Sequence, residues 1–194
     1  RLLKFYGAHL IEVSKESGGF LKCIELANKK GQKKGFFCPK QFENTWNVLA
    51  HQQTTAPELQ QTLKKHNFGD LDMFATGVGT GGTVMGFYHY FNSYHHNNDS
   101  FHVFPILPDK NEDGKHRIEG IGDSFIPKIL DLTVLGPILR VKDTDAINIS
   151  RQMNKLGLSV GISSGANVFG SLVQSQKLKG FKSIGTILCD DNRK

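Results

Sequence analysis

The sequence is short of the features that mark membrane, disulfide-bonded and metal-binding proteins. No apolar run approaches the ~20 residues that a transmembrane helix requires, and no charged and apolar pair of segments resembling a secretory signal heads the chain. The three cysteines, Cys23, Cys38 and Cys189, are widely spaced and form no CxxC pair, which argues against a disulfide framework or a zinc site. We therefore expect a cytoplasmic protein with buried free thiols, no membrane span and no bound metal.

The chain also lacks the basic stretches with interleaved aromatic residues that are typical of a nucleic-acid-binding surface. Its net charge is +6 at pH 7, but much of this excess lies in Lys29, Lys30, Lys33 and Lys34. These lysines have no aromatic residue among them and lie between two predicted elements, so a solvated loop is the simpler interpretation. We expect no nucleic-acid partner.

What the sequence does contain is a glycine stretch, GVGTGGT at 77–83, between an apolar run and a segment with aromatic residues at helical spacing. This order predicts a strand at 71–75, a tight turn, and a helix at 83–96. Glycines let successive backbone amides converge on one ligand, and the helix adds unpaired N–H groups and the positive end of its dipole. Thr80 and Thr83 contribute hydroxyl donors, so the stretch predicts a phosphate site.

Two other phosphate-binding templates match this stretch less well. No Lys-Ser/Thr pair closes it, which excludes a P-loop. Gly77, Gly79 and Gly82 match GxGxxG, but the acid expected about 20 residues on has its nearest candidate in Asp109, roughly 30 residues on. A nicotinamide-dependent oxidoreductase is thus a weaker alternative, and so is a glycine turn that binds nothing.

Strands and helices alternate along the rest of the chain. The patterns predict strands at 9–13, 35–38, 101–107, 138–141 and 184–188, and helices at 1–6, 19–30, 55–65, 143–155 and 166–178. This alternation predicts an α/β fold with a mainly parallel sheet and helices on both faces. Because ligands bind beyond the carboxyl ends of parallel strands, we expect the glycine stretch and a second glycine-serine turn at 161–165 to face one crevice.

Four segments in order carry a resemblance to a known family: QFEN at 41–44, the glycine stretch, EGIG with FIP at 119–127, and GISSGA at 161–166. Together they resemble the fold-type II (tryptophan synthase β-like) pyridoxal-phosphate enzymes, specifically the cysteine synthase (O-acetylserine sulfhydrylase) and cystathionine β-synthase family. The resemblance spans essentially the whole chain. It implies that residues 1–40 are the remainder of a smaller domain and that residues 41–194 form the larger, phosphate-binding domain.

The resemblance also implies roles for individual residues. Ser163 is expected to face the pyridine nitrogen of pyridoxal phosphate, where a neutral hydroxyl leaves that nitrogen mostly unprotonated. Gln41 resembles the residue that helps to hold the substrate carboxylate. Gly120, Ile121 and Gly122 resemble the loop that lines the substrate pocket. The residues implied to bind the cofactor phosphate are Gly79, Thr80, Gly81, Gly82 and Thr83.

The activity implied is β-replacement in cysteine biosynthesis, in which sulfide displaces acetate from O-acetylserine, by a cytoplasmic homodimer. Cystathionine β-synthase activity stays open because it uses a different nucleophile, homocysteine, on the same intermediate. Glu119, which stands where cysteine synthases usually have Gln, favours that relative. The Schiff-base lysine lies in the first third of the family sequence, which has no counterpart here, so we assign no catalytic residue. A non-catalytic fragment or degenerate paralogue is therefore a further alternative. His89, His95 and His96 are interpreted as a solvated helix end.

Overall fold

A computed structural model describes residues 2–94, 101–110, 115–122, 125–178 and 183–192. The chain separates into two compact units, Arg1–Lys40 and Gln41–Lys194. The first unit contains helices α1 (Leu2–Phe5) and α2 (Gly19–Gly31). None of the helices in the described ranges is both long enough and apolar enough to cross a membrane.

The first unit confirms its predicted helices but not its predicted strands. Gly7, with φ +81°, ends α1 in the left-handed conformation, and the amide of Ala8 donates to the carbonyl of Leu3. The strands predicted at 9–13 and 35–38 are wrong, because both segments are irregular and mostly exposed. A strand is stabilised by backbone hydrogen bonds to a neighbour, and neither segment forms such a ladder with the described residues of this unit.

The second unit is built on a four-stranded parallel sheet of order β3-β2-β1-β4. Its strands are β1 (Met73–Gly77), β2 (His102–Pro108), β3 (Leu139–Val141) and β4 (Ile184–Gly185). The register pairs Met73 with His102 and Gly77 with Ile106. Its helices are α3 (Trp46–Ala50), α4 (Ala56–Lys65), α5 (Gly82–Tyr94), α6 (Asp143–Lys155) and α7 (Ile162–Lys177).

Helices cover both faces of the sheet, as predicted. Met73 and Ala75 of β1 pack in one buried cluster with Ala146 of α6 and Ala166 of α7. Phe74, which points to the opposite face because side chains alternate along a strand, packs in a second cluster with apolar residues of α5. The α/β fold with a mainly parallel sheet is therefore confirmed.

Stacked aromatic rings fix α5 on the sheet. The ring of Phe74 lies 3.6 Å from that of Phe87 at an interplanar angle of 6°, and the ring of Phe91 lies 4.1 Å from that of Phe101. All four side chains are buried, and truncating one such Phe to Ala costs about 3–5 kcal/mol. These buried ring contacts therefore hold α5 against the sheet.

Two helices begin earlier than predicted. The helix expected to start with a cap at Thr55 is continuous with α3 through one π-helical turn, His51–Thr55, and Thr55 has helical backbone angles with no capping side-chain bond. The helix expected from 166 begins at Ile162, so the predicted turn at 161–165 is largely its first turn. The cause is a carboxylate from elsewhere in the chain, Asp190, which satisfies the amides of that turn.

The last strand is shorter than predicted because side chains take its backbone partners. The carbonyl of Ile187 accepts from Asn167, and Thr186 donates to the carbonyl of Ala75. The carbonyl of Val160, just before α7, accepts from the hydroxyl of Ser150 on α6, and residues 158–160 form no strand.

The three cysteines are free, as predicted, but the expectation that they are buried is wrong. Cys23 and Cys38 are half-buried, and Cys189 is exposed. His89 is exposed on α5, whereas His95 and His96 lie outside the described residues.

Candidate functional site

The glycine stretch forms the turn that joins the carboxyl end of β1 to α5. Gly81 has φ +90°, a conformation that favours glycine. A Cβ atom at Gly79 would overlap the carbonyl oxygen of Gly120, and a Cβ atom at Gly82 would overlap the side chain of Asn47. Side chains are thus excluded from three positions of this turn.

The amides of this turn are available to a ligand. Among the described residues, none accepts a hydrogen bond from the amides of residues 79–81, and the amide of Gly82 reaches only the hydroxyl of Thr80, at 3.4 Å. The first turn of α5 contains no acidic residue that would neutralise the positive end of the helix dipole. Unpaired amides at a helix amino end form an anion site.

Asn47 connects Thr80 to the segment that begins the second unit. Its amide nitrogen Nδ2 donates to Thr80 Oγ1 at 2.8 Å and to the carbonyl of Gln41 at 2.9 Å. Because Thr80 Oγ1 accepts this bond, its own proton remains for an anion. Gln41 is held here by its backbone, and its residue is exposed.

His51 supports the other threonine of the turn. Its Nε2 lies 3.2 Å from Thr83 Oγ1, and its Nδ1 lies 3.0 Å from Thr55 Oγ1. Burial lowers the pKa of His51, so the neutral imidazole is favoured, which donates through one nitrogen and accepts through the other. The π-helical turn places His51 there, and such turns are frequent at functional sites.

The predicted substrate loop lies directly against the glycine turn. The amide of Gly122 donates to the carbonyl of Val78 at 3.0 Å, and the carbonyl of Gly120 approaches Gly79. The Ile121 side chain is buried in the core and packs against Gly77. Only the backbone of Ile121 is therefore positioned to meet a ligand.

Ser163 lies in the first turn of α7, on the wall of a cavity of about 670 Å³ that Gly120 also lines. Its hydroxyl donates to Asp190 Oδ2 at 2.6 Å, and its amide donates to the same oxygen at 3.1 Å. Asp190 Oδ1 accepts from the amides of Gly161 and Ser164 at 3.1 and 3.0 Å. A carboxylate thus caps α7 from outside the helix.

The electrostatics of this cap keep Asp190 charged. Its partial burial raises the pKa of the carboxyl, but the hydrogen bonds from the hydroxyls and amides of Ser163 and Ser164 outweigh burial and lower that pKa overall. Asp190 is therefore a carboxylate at neutral pH.

Sequence reasoning missed Asn47 and Asp190. Asn47 belongs to no motif, and its contact with Thr80 spans 33 positions, so no local signal indicates it. Asp190 follows the last predicted strand. An acid just beyond the carboxyl end of a parallel strand is a signal that could have found it, because that edge carries the ligand sites.

Fold and site together are those of an α/β protein with a site suited to a phosphate group. The turn at 79–83 fits a phosphate group, because it offers unpaired amides and two hydroxyls where a Cβ atom would intrude. The cavity beside Ser163 has the size that small ligands and cofactors occupy; none of residues 79–83 lines it, and Gly120, which does, connects it to the turn through its contact with Gly79. Within the described ranges, no three His, Cys, Asp or Glu side chains form a group that could hold a metal ion.

The chain belongs to the family of pyridoxal-phosphate dependent enzymes, since the profile of that family matches residues 1–190. This membership confirms the resemblance drawn from the four motifs and removes the dinucleotide-binding alternative. Pyridoxal phosphate is the cofactor of this family, and the phosphate-sized turn at 79–83 fits it.

Relatives of known name agree with this assignment. Cysteine synthase B of Campylobacter jejuni is 36% identical over 197 residues, which cover 98% of this chain and 63% of that protein. The crystal structure of a hydrogen sulfide-producing enzyme from Fusobacterium nucleatum has a TM-score of 0.90 at 37% identity, covering 99% of this chain and 59% of that one. The structure of the O-acetylserine dependent cystathionine β-synthase from Helicobacter pylori has a TM-score of 0.80 at 30% identity. The match covers 99% of this chain and 62% of that one. The chain thus spans about three fifths of the length of these relatives.

Proposed function

We propose that this chain is the phosphate-binding part of a cysteine synthase-type enzyme, in which sulfide replaces the acetate of O-acetylserine to give cysteine. The observation that carries the proposal is the turn at 79–83, with its unpaired amides and glycine-only positions. Relatives named cysteine synthase match nearly the whole chain, which supports this chemistry over other reactions of the family.

The proposed roles of the residues follow their chemistry. Gly79, Thr80, Gly81, Gly82 and Thr83 hold the cofactor phosphate through amides and hydroxyls. Ser163 meets the ring nitrogen. Pyridoxal phosphate, when bound, acts as an electron sink for the carbon that carries the substrate amino group.

The remaining proposed residues bind and orient the amino-acid substrate. The amide side chain of Gln41 donates to the substrate carboxylate, while its backbone is held by Asn47. Gly120 and Gly122, with φ of +82° and +80°, and the backbone of Ile121 form a wall without protruding side chains. The substrate then lies close to the backbone of this wall, which leaves little room for water.

A second candidate, cystathionine β-synthase activity, is favoured by one observation. Glu119 lines the same cavity as Ser163, and a carboxylate there would attract the ammonium group of homocysteine, which sulfide lacks. Comparing sulfide with homocysteine as the nucleophile, on O-acetylserine and on serine, separates the two activities.

We further propose that the enzyme works in the cytoplasm as a homodimer. We assign no lysine of residues 1–194 to the Schiff base, so activity is to be measured on the full-length protein.

Two glycines with matching backbone angles provide the test. Gly81 has φ +90° and Gly157 has φ +88°, so alanine costs each about 1–2 kcal/mol of backbone strain. Only Gly81 lies in the glycine turn, where a Cβ atom would also come within 3.1 Å of Leu130. We expect Gly81→Ala to weaken pyridoxal-phosphate binding at least about tenfold, or ~1.4 kcal/mol, and Gly157→Ala to leave it unchanged.

Binding is measured by the absorbance of the cofactor, and cysteine formation by product analysis. Equal loss of binding in the two variants would show that the turn holds no phosphate. Normal binding in the wild type without cysteine or cystathionine formation would reject the proposed reaction.

A further inference from the structure

Two side chains of one helical segment contact the hydroxyls of the glycine turn. α5 packs so closely against α3 and the π-helical turn that a Cβ atom at Gly82 would overlap the side chain of Asn47, and one at Gly86 would overlap His51. The members of each pair are four positions apart along their own segment, about one helical turn. This packing brings Asn47 and His51 within hydrogen-bond distance of the two threonines at 80 and 83.

The contacts of the Asn47 amide nitrogen fix the direction of its bond to Thr80. Nδ2 donates to the carbonyl of Gln41, which can only accept, and the same nitrogen lies 2.8 Å from Thr80 Oγ1. A threonine hydroxyl has one proton and two lone pairs. Thr80 therefore accepts from Asn47 and keeps its own proton for an anion.

The distances around His51 allow two arrangements. Its Nε2 lies 3.2 Å from Thr83 Oγ1, and its Nδ1 lies 3.0 Å from Thr55 Oγ1. Burial lowers the pKa of His51, so the neutral imidazole is favoured, which has one N–H donor and one acceptor nitrogen. With the proton on Nδ1, Nε2 accepts from Thr83, and the Thr83 proton is used. With the proton on Nε2, Thr83 accepts from His51, and Nδ1 accepts from Thr55.

A bound phosphate distinguishes these two tautomers. The ionised oxygens of a phosphate group are hydrogen-bond acceptors, so the Thr83 hydroxyl can bind one of them only with its own proton. If Nε2 uses that proton, Thr83 presents lone pairs to the anion, and these repel it. Only the tautomer with the proton on Nε2 leaves the hydroxyls of both Thr80 and Thr83 as donors.

We propose that His51 is a positioning residue that holds the Thr83 hydroxyl as a donor toward the cofactor phosphate, through an Nε2–H tautomer that Thr55 selects by donating to Nδ1. The inference rests on the proposed function, which places the phosphate at the glycine turn. His51 acts through Thr83, as Asn47 acts through Thr80. The segment that carries Asn47, His51 and Thr55 thus sets the direction of both hydroxyls.

The tautomer of His51 is measured in the wild type. The full-length protein is labelled with ¹⁵N in its histidines and loaded with pyridoxal phosphate at neutral pH. The ¹⁵N shift separates imidazole nitrogens that carry a proton from those that do not, and couplings to the ring protons separate Nδ1 from Nε2. The signals of His51 are assigned by their loss in His51→Gln. We expect a proton on Nε2 and none on Nδ1. A proton on Nδ1, or on both nitrogens, would overturn the inference.

His51→Gln and His51→Asn form a matched pair. The amide nitrogen of Gln can occupy the position of Nε2 and donate to Thr83, whereas that of Asn reaches only the position of Nδ1. We expect His51→Gln to keep the affinity for pyridoxal phosphate within about twofold and His51→Asn to weaken it about fivefold, as the loss of one hydrogen bond predicts. Equal losses would show that His51 only fills space, which would overturn the inference.

A double-mutant cycle connects this effect to Thr83. Thr83→Val removes the hydroxyl that His51 positions, so His51→Asn is expected to weaken binding no further in that background. If His51→Asn causes the same loss with and without the hydroxyl, His51 does not act through Thr83.

Thr55 and Thr54 provide a second matched pair within the π-helical turn. Thr55→Val removes the donor to Nδ1, and we expect the affinity for pyridoxal phosphate to fall about threefold. Thr54→Val is the control, because its hydroxyl donates to the carbonyl of Ala50. Equal affinities would reject the role of Thr55. Failure of the wild type to bind pyridoxal phosphate overturns both this inference and the proposed function, whereas binding with the other tautomer overturns the inference alone.

Discussion

The amino ends of α5 and α7 are built from similar glycine- and hydroxyl-rich sequences, yet they are completed in opposite ways. Before α5, the amides of residues 79–81 have no partner among the described residues. At α7, the amides of Gly161, Ser163 and Ser164 all donate to the carboxylate of Asp190. Both ends need an anion. The fold supplies this anion at α7, as the Asp190 carboxylate, and leaves the amides before α5 without one.

This difference refines the expectation that both glycine turns face one ligand crevice. The first turn of α7 is not a second phosphate site, because its amides are occupied. What it presents to the cavity is the Ser163 hydroxyl, with its direction fixed by Asp190. One helix end is thus shaped for an external anion, and the other holds a side chain in place.

The largest effect is expected from a carboxylate introduced at the amino end of α5, where it can accept hydrogen bonds from the unpaired amides. Thr80→Asp places a negative charge beside the unpaired amides of α5, as Asp190 does at α7. We expect pyridoxal-phosphate binding to weaken by at least about 100-fold, or ~2.7 kcal/mol, while stability is unchanged or rises by about 0.3–1 kcal/mol. Cofactor titration and urea unfolding measure the two effects.

Thr80→Asn is the control, because its side chain has the same shape without the charge. If the Asp and Asn variants bind the cofactor equally, repulsion between the new carboxylate and the phosphate is not the cause.

The converse test removes the carboxylate that caps the amino end of α7. Asp190→Ala removes the cap of α7, and we expect the free energy of unfolding to fall by about 1–2 kcal/mol at pH 7. The folded-state pKa of Asp190 is lowered, so its contribution is present above its unfolded value of about 3.9 and is lost as pH falls through the folded value. The difference between wild type and variant should therefore disappear in acid, as urea unfolding at several pH values would reveal. A difference that persists at low pH would contradict this account of the cap.

A smaller effect is expected from the hydroxyl of Thr83. Thr83→Val removes one donor from the open end, and we expect cofactor affinity to fall about fivefold, or ~1 kcal/mol. Thr62→Val, on the exposed surface of α4, is the matched control. Equal affinities in the two variants would exclude Thr83 from the phosphate site.

The smallest effect concerns His51. Its pKa is lowered by burial, so the folded state disfavours the imidazolium. The free energy of unfolding is therefore highest above the unfolded pKa of about 6.5, where His51 is neutral in both states. It decreases as pH falls through the folded value. Urea unfolding of wild type and His51→Gln between about pH 7.5 and pH 5 checks this. A wild type that loses no more stability than the variant would argue against it.

The sequence was sufficient to predict those parts of the fold in which the local hydrophobic pattern and the local chemistry indicate the same structure. The strand, glycine turn and helix predicted at 71–96 follow from periodicity and from the need for glycine at 79, 81 and 82, and the structure has β1 at Met73–Gly77, a turn, and α5 at Gly82–Tyr94. The alternation of elements likewise predicted the parallel sheet. The roles of the individual site residues stay predictions until the variants are measured.

The parts that sequence reasoning could not supply depend on distant partners. The segments at 9–13 and 35–38 have strand-like composition, but composition does not say whether a neighbour is there to pair with. The early start of α7 depends on Asp190, which lies 27 positions after Ser163. The role of Asn47 could not be predicted from the sequence for the same reason, because its partner Thr80 lies 33 positions away.

The π-helical turn between α3 and α4 sets the rotational phase of the side chains on both helices. Asn47, His51 and Thr55 recur every four residues, and the amide of Ala56 bonds back to His51 through the wider turn. Deleting one residue from 51–55 would rotate α4 relative to α3 by about 100° and separate Thr55 from His51. The number of residues in this segment therefore fixes the relative orientation of α3 and α4, and we expect the segment to tolerate a substitution better than an insertion or a deletion.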